Sequence, residues 1–157
     1  MVVMNRTVTT KLYREMSEVL LKAGEIDVIP PLKKTKMRNV YGYLRTKYIR
    51  NNITHWIEKE EYVGIYLNLG SIPNYANCYD LNKVNRDTYY YNVELFFNAI
   101  DTIAHEFAHM KVHAHNEEHT KLTHKYIDLY MSNCKYINEA TGQFLFDKFM
   151  ENVKEHA

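Results

Sequence analysis

Apolar residues recur along this chain at two spacings, and the changes between them mark out its elements. Over residues 10–23, TKLYREMSEVLLKA, Leu12, Met16, Val19, Leu20 and Ala23 share one side of a 3.6-residue turn, and Gly24 follows. This predicts an amphipathic helix closed by a C-terminal glycine. Pro30-Pro31 then forces an extended connection. Residues 38–49 are rich in β-prone side chains and predict a strand or hairpin. In residues 62–69, YVGIYLNL, Val63, Ile65, Leu67 and Leu69 alternate with Tyr62, Gly64, Tyr66 and Asn68, the two-residue period of a strand. Residues 70–87 read as loop around Pro73, and 88–91 as another short strand.

The period then lengthens. Asn92 fits an N-cap with Glu94 in the first turn, and Val93, Phe96, Phe97, Ile100, Ile103, Ala104 and Phe107 follow at helical spacing. Residues 117–131 fit a second helix through Leu122, Tyr126, Leu129 and Tyr130, and 138–154 a last one through Phe144, Leu145, Phe149 and Val153. The expected fold class is α+β: one domain over 1–157, with a small, mostly antiparallel sheet packed against several helices. Within it lie a basic N-terminal part, 1–50, metal-site helices over 92–131 and a C-terminal helix over 138–154.

The composition, 46% hydrophobic and 25% charged, is that of a globular protein. The sequence lacks both a run of about eighteen apolar residues and a charged-then-apolar leader, so neither a membrane span nor secretion is expected. Cys78 and Cys134 stand far apart without a CxxC, which fits reduced thiols in an intracellular, cytoplasmic setting. The net charge of +1 conceals an asymmetry: residues 1–50 hold 11 basic and 4 acidic side chains, and 51–157 hold 9 and 15. Lys33, Lys34, Lys36, Arg38, Arg45, Lys47 and Arg50 lie in one stretch without an acid, interleaved with Tyr41, Tyr43 and Tyr48. Cations alternating with stacking-capable rings make this stretch the candidate nucleic-acid contact.

The densest chemistry lies in IAHEFAHMKVHAH, residues 103–115. On a helix, positions i and i+4 share a face, so His105 and His109 can bind one metal ion, and Glu106 is set beside them to work on a water. A catalytic zinc needs a third protein ligand and an open position. Six of the eight histidines, His105, His109, His113, His115, His119 and His124, fall between residues 105 and 124. His115 is one candidate. A continuous helix would carry it about 240° from His109, six steps of roughly 100°, so the helix must break first. Asn116, which tolerates left-handed backbone, would help such a turn. The other candidate is Glu139, in Ile137-Asn138-Glu139-Ala140.

The stretch from His105 to Tyr126, HEFAHMKVHAHNEEHTKLTHKY, resembles the active-site segment of SprT-like and related small zinc peptidases. In these a His-Glu-x-x-His helix is followed within a few residues by a third His that opens another helix. The resemblance implies a zincin-like fold with one Zn²⁺ held by His105, His109 and His115, and with Glu106 as general base. Asn116 stands where that family has Gly, and His119 where it has Phe or Trp. Val112 stands where metzincins, which share the spacing, require Gly. Glu139 instead resembles the third ligand of thermolysin-like gluzincins. In zincins an edge strand upstream of the helix pairs with the substrate backbone.

The expected activity is zinc-dependent hydrolysis of a protein or peptide substrate, and the resemblance extends it to DNA-associated proteins. An oxyanion partner is expected among His113, His119, His124 and the tyrosines, His119 foremost. Two alternatives stay open: a Mg²⁺- or Mn²⁺-dependent nuclease using the same histidines and carboxylates, and a non-catalytic nucleic-acid-binding module.

Overall fold

The computed structural model describes residues 4–35, 42–67, 69–70, 86–134, 136 and 148. In chain order these form β1 (Met4–Asn5), α1 (Arg6–Lys22), β2 (Leu32–Lys34), β3 (Gly42–Arg50), β4 (Ile57–Leu67), β5 (Leu69–Gly70), α2 (Arg86–Ala108) and α3 (Glu117–Ser132). The class is α+β: three helices stand against a three-stranded sheet of order β2-β4-β3, beside a minimal parallel pair of β1 and β5. No helix among the described residues is long and apolar enough to cross a membrane.

The first helix ends where its glycine requires. Gly24 adopts φ +74°, a conformation that costs an L side chain but not glycine. The Glu25 amide reaches back to the Leu20 carbonyl and the Gly24 amide to that of Leu21, which satisfies two of the free carbonyls of the last turn. Leu12, Met16 and Leu20 are fully buried, whereas Ala23 lies exposed in the capping turn. Tyr13 stacks on Phe107 of α2, with ring centroids 5.3 Å apart, and its hydroxyl donates to the Pro30 carbonyl.

The sheet is mixed rather than mostly antiparallel. Residues read as a plain extended connection after Pro30-Pro31 become β2, which runs parallel to β4 in the register Leu32↔Ile65, Lys33↔Tyr66 and Lys34↔Leu67. β3 runs antiparallel to β4, with register irregularities at Arg45/Thr46 and Ile49/Arg50. β4, the strand that the alternation brought forward, is therefore central, and among the described residues β2 and β3 are the two edges. Ile65 and Leu67 bury one sheet face against Ala99, Ile100, Ile103, Ala104, Phe107 and Ala108 of α2, and Tyr126 and Tyr130 of α3 join the same core.

α2 begins at Arg86, so 88–91 is helix rather than strand, and Asn92 lies inside the helix instead of capping it. The β propensity of consecutive tyrosines is weak against a continuing helix, because strand preference depends mostly on the surroundings. Phe97, expected on the apolar face, is exposed at 42%. The expected helix over 138–154 lies outside the described residues, apart from helical Lys148.

Candidate metal centre

The motif closes α2: His105 to Ala108 form its last turn, and His109 is the first residue past it. His109 donates its amide to the carbonyls of both His105 and Glu106, and the amides of Met110 and Lys111 reach back only three residues. Such tightening is how α-helices commonly terminate. The break that His115 requires is therefore present. Asn116 serves it differently from the left-handed turn expected: its backbone is extended, φ −124° and ψ −174°, and its side chain caps α3 by accepting from the His119 amide at 2.9 Å.

This turn brings three imidazoles together. His105 Nε2 lies 3.2 Å from both His109 Nε2 and His115 Nε2, and the last two are 3.1 Å apart. Three nitrogens on one tetrahedral zinc at 2.0–2.1 Å would stand about 3.3–3.4 Å apart, so the triangle has nearly the required size. The second ring nitrogen of His109 lies 3.0 Å from the Val112 carbonyl; with Nδ1–H donating there, Nε2 is left as a lone pair toward the other two. Burial, followed by the neighbouring His119, His109 and His115, pushes the His105 imidazole down to about 4. Burial likewise lowers His109. Both rings are therefore neutral near pH 7, the state that metal ligation needs. The residues present could hold one metal ion, and the size of the triangle is compatible with zinc.

Glu106 is next to the triangle and 3% exposed. One carboxylate oxygen lies 4.0 Å from His105 Nε2, and the other, Oε2, is buried without a hydrogen-bond partner among the described residues. Burial raises the carboxyl to about 7, opposed by a hydrogen bond from the Leu44 amide. The β3 backbone can come this close because residue 42 is glycine. A Cβ there would stand 2.6 Å from Leu67 Cδ2, 2.9 Å from the Tyr66 carbonyl and 3.5 Å from Glu106 Cγ. A glycine inside a strand often marks such an approach, a signal the sequence carried unread.

These groups open into a cleft of about 410 Å³ lined by Gly42, Tyr43, Leu44, Thr46 and Tyr48 of β3 and by His105, Glu106, His109, His113 and His115. His113 stands 3.5 Å from Glu60 of β4. His119, expected in the cleft, lies behind it. It is 3% exposed, its Nε2 is 3.0 Å from the His105 carbonyl, and its ring stacks on His109 with centroids 4.0 Å apart. It buttresses two ligand rings from the α3 side. The turn after α2 and helix α3 are both tied to the segment that follows α1 by Glu25, which accepts from Lys111 at 3.0 Å and Lys125 at 2.6 Å.

Of the remaining candidates, Glu139 lies outside the described residues, as do Lys36 and Arg38. Lys33, Lys34, Arg45, Lys47 and Arg50 are all exposed. Beside the cleft, Tyr43 stacks on Tyr66 at 4.8 Å and Lys33 Nζ stands 6.0 Å over the Tyr66 ring. Strand alternation puts Arg45 and Lys47 on the same side as Tyr43. No family model matches this chain, and neither a curated protein nor a solved structure is similar to it at a significant level.

Proposed function

We propose that this protein is a zinc-dependent metallopeptidase of zincin-like architecture. The observation that carries the reading is the triangle of three Nε2 atoms, 3.1–3.2 Å on a side, with the buried Oε2 of Glu106, unpartnered among the described residues, beside it. A ligand set of three imidazoles without a carboxylate suits zinc better than Mg²⁺ or Mn²⁺, which prefer oxygen, and so favours the peptidase over the nuclease. The edge of β3, unpaired among the described residues and running along the cleft from Gly42 to Tyr48, offers backbone groups to an extended peptide.

When bound, the ion supplies Lewis acidity to the scissile carbonyl and to the attacking water. Glu106 takes the proton of that water and passes it to the leaving amine, a task suited to a carboxyl whose pKa lies near 7. The Leu44 amide holds the carboxylate, the His119 ring packs against the rings of His105 and His109, and the Val112 carbonyl orients the His109 ring. The cluster of Tyr43, Tyr66 and Lys33, with the exposed Arg45 and Lys47 on the same strand side as Tyr43, supports a nucleic-acid contact that would bring the site to DNA-associated proteins.

The test combines metal analysis with activity. Purified protein is expected to bind zinc and to cleave casein or a DNA-bound protein, and Glu106→Gln to retain zinc without cleavage. Mg²⁺- or Mn²⁺-dependent cutting of naked DNA would overturn the reading in favour of the nuclease. Absence of bound metal after zinc reconstitution would overturn the zinc reading outright.

A further inference from the structure

We infer that the tip of the β3–β4 hairpin is a docking site for large apolar side chains of an extended, unfolded polypeptide substrate. The inference rests on the peptidase reading and narrows it to a substrate class. Of the nine large apolar side chains exposed among the described residues, five belong to this one hairpin: Tyr48, Ile49, Ile53, Trp56 and Ile57. Ile53 is 88% exposed, Trp56 77% and Ile57 51%. Scattered single exposures are ordinary, but a contiguous group marks a binding surface.

The protrusion is held in shape. Asn51 Oδ1 accepts from the amides of Ile53 and Thr54 at 2.8 and 2.9 Å, and its Nδ2 donates to Glu58 at 2.7 Å. The Asn51 amide donates to the Trp56 carbonyl and Arg50 Nη1 to the His55 carbonyl. Trp56 and Ile53 are thus presented on a preorganised turn, which keeps the ordering cost of binding low.

The occupant follows from continuity with the cleft. Tyr48 belongs both to the cleft lining and to the exposed group. β3 leads from Leu44, whose amide holds Glu106, to Arg50 at the start of the turn. Those six residue steps span about 20 Å at about 3.3 Å each. A substrate strand paired along β3 would therefore reach the tip about six residues from its scissile bond. Its apolar side chains would meet Ile53 and Trp56 only if that stretch were unfolded. A short peptide would fill the cleft without touching the tip.

The experiment compares the zinc-loaded protein with its Ile53→Ser/Trp56→Ser variant on casein and on a peptide of four residues either side of the cleaved bond. The expected result is a KM for casein raised about tenfold, with kcat, zinc content and short-peptide turnover unchanged. Binding is read separately in Glu106→Gln. Trp56 is the chain's one tryptophan, so a Trp-free apolar peptide of about fourteen residues, long enough to reach the tip, should shift its emission to the blue. That shift without any cleavage by wild type would keep the docking site and remove the peptidase. An unchanged casein KM together with an unshifted emission would remove the docking site and leave the peptidase standing. Loss of self-association or of phosphatidylcholine-vesicle binding in the double variant, with casein KM unchanged, would assign the tip to a second copy or a membrane and overturn the inference.

Discussion

Glu106 should destabilise the metal-free protein that it serves, and the size of the effect follows from its surroundings. Its carboxyl is held at about 7 by burial, against an ordinary value of 4.5. Below pH 4.5 the group is protonated in both folded and unfolded chains and contributes nothing. As pH rises from 4.5 to 7 the unfolded chain releases the proton and the folded one keeps it, so stability falls. Above pH 7 the loss is complete, about 3 kcal/mol at roughly 1.4 kcal/mol per pH unit. Glu106→Gln removes the charge while keeping the shape and an acceptor for the Leu44 amide. With zinc chelated, urea unfolding should find the variant about 3 kcal/mol more stable than wild type at pH 8, a midpoint shift of about 1–2 M, and within about 1 kcal/mol at pH 5. With zinc bound the difference should shrink, because a neighbouring cation favours the carboxylate. Peptide turnover should fall by about 10² to 10⁴ despite the added stability. Equal stability of the two proteins at pH 8 would refute the reasoning, for it would mean that the carboxylate is ionised in its site without penalty.

Other consequences are more local. Hydrogen bonds from Lys125 and then Lys111 hold the Glu25 carboxyl below its ordinary value, so its contribution is present above pH 4.5 and fades as pH falls through the folded value. Glu25→Gln should cost about 1 kcal/mol at pH 7, limited by the half-exposed lysines, and progressively less as the pH falls, measured by denaturant titration. Gly42→Ala sets a Cβ 2.9 Å from the Tyr66 carbonyl; it should cost about 1–3 kcal/mol by calorimetry and slow turnover by moving Glu106, and full activity would show that β3 yields freely. Gly24→Ala, strained at φ +74° but in open space, should cost about 1 kcal/mol and leave turnover intact. Arg45→Glu with Lys47→Glu should weaken single-stranded DNA binding and lower the slope of its salt dependence by about 1–2, read by fluorescence anisotropy across a salt series. An unaltered slope would remove those two residues from the contact.

What the sequence disclosed depended on how local each signal was. Gly24 announced the end of α1 because positive φ is a one-residue property, and His105 and His109 announced a shared face because helical period is a five-residue one. The need for a break before His115 came from the same arithmetic. The device that makes it, a tightened last turn followed by the Asn116 cap, depends on backbone geometry that residue type alone does not specify. β2 was hidden because three residues after a proline pair carry no period, and only the parallel pairing with Ile65–Leu67 makes them a strand. The place of His119 behind the ligands, the Leu44 amide on Glu106 and the His113–Glu60 pair are likewise contacts between distant segments. Gly42 was the exception, a legible sign of close approach set inside a predicted strand.

The central claim, one zinc ion on His105, His109 and His115, is tested most directly by X-ray absorption at the zinc edge on the reconstituted protein, alongside His115→Ala and Glu139→Ala. The account predicts one zinc per chain with three imidazole nitrogens at about 2.0–2.1 Å, one imidazole lost in His115→Ala and an unchanged spectrum in Glu139→Ala. No bound zinc, or a first shell that keeps three imidazoles without His115 or changes with Glu139, would contradict it.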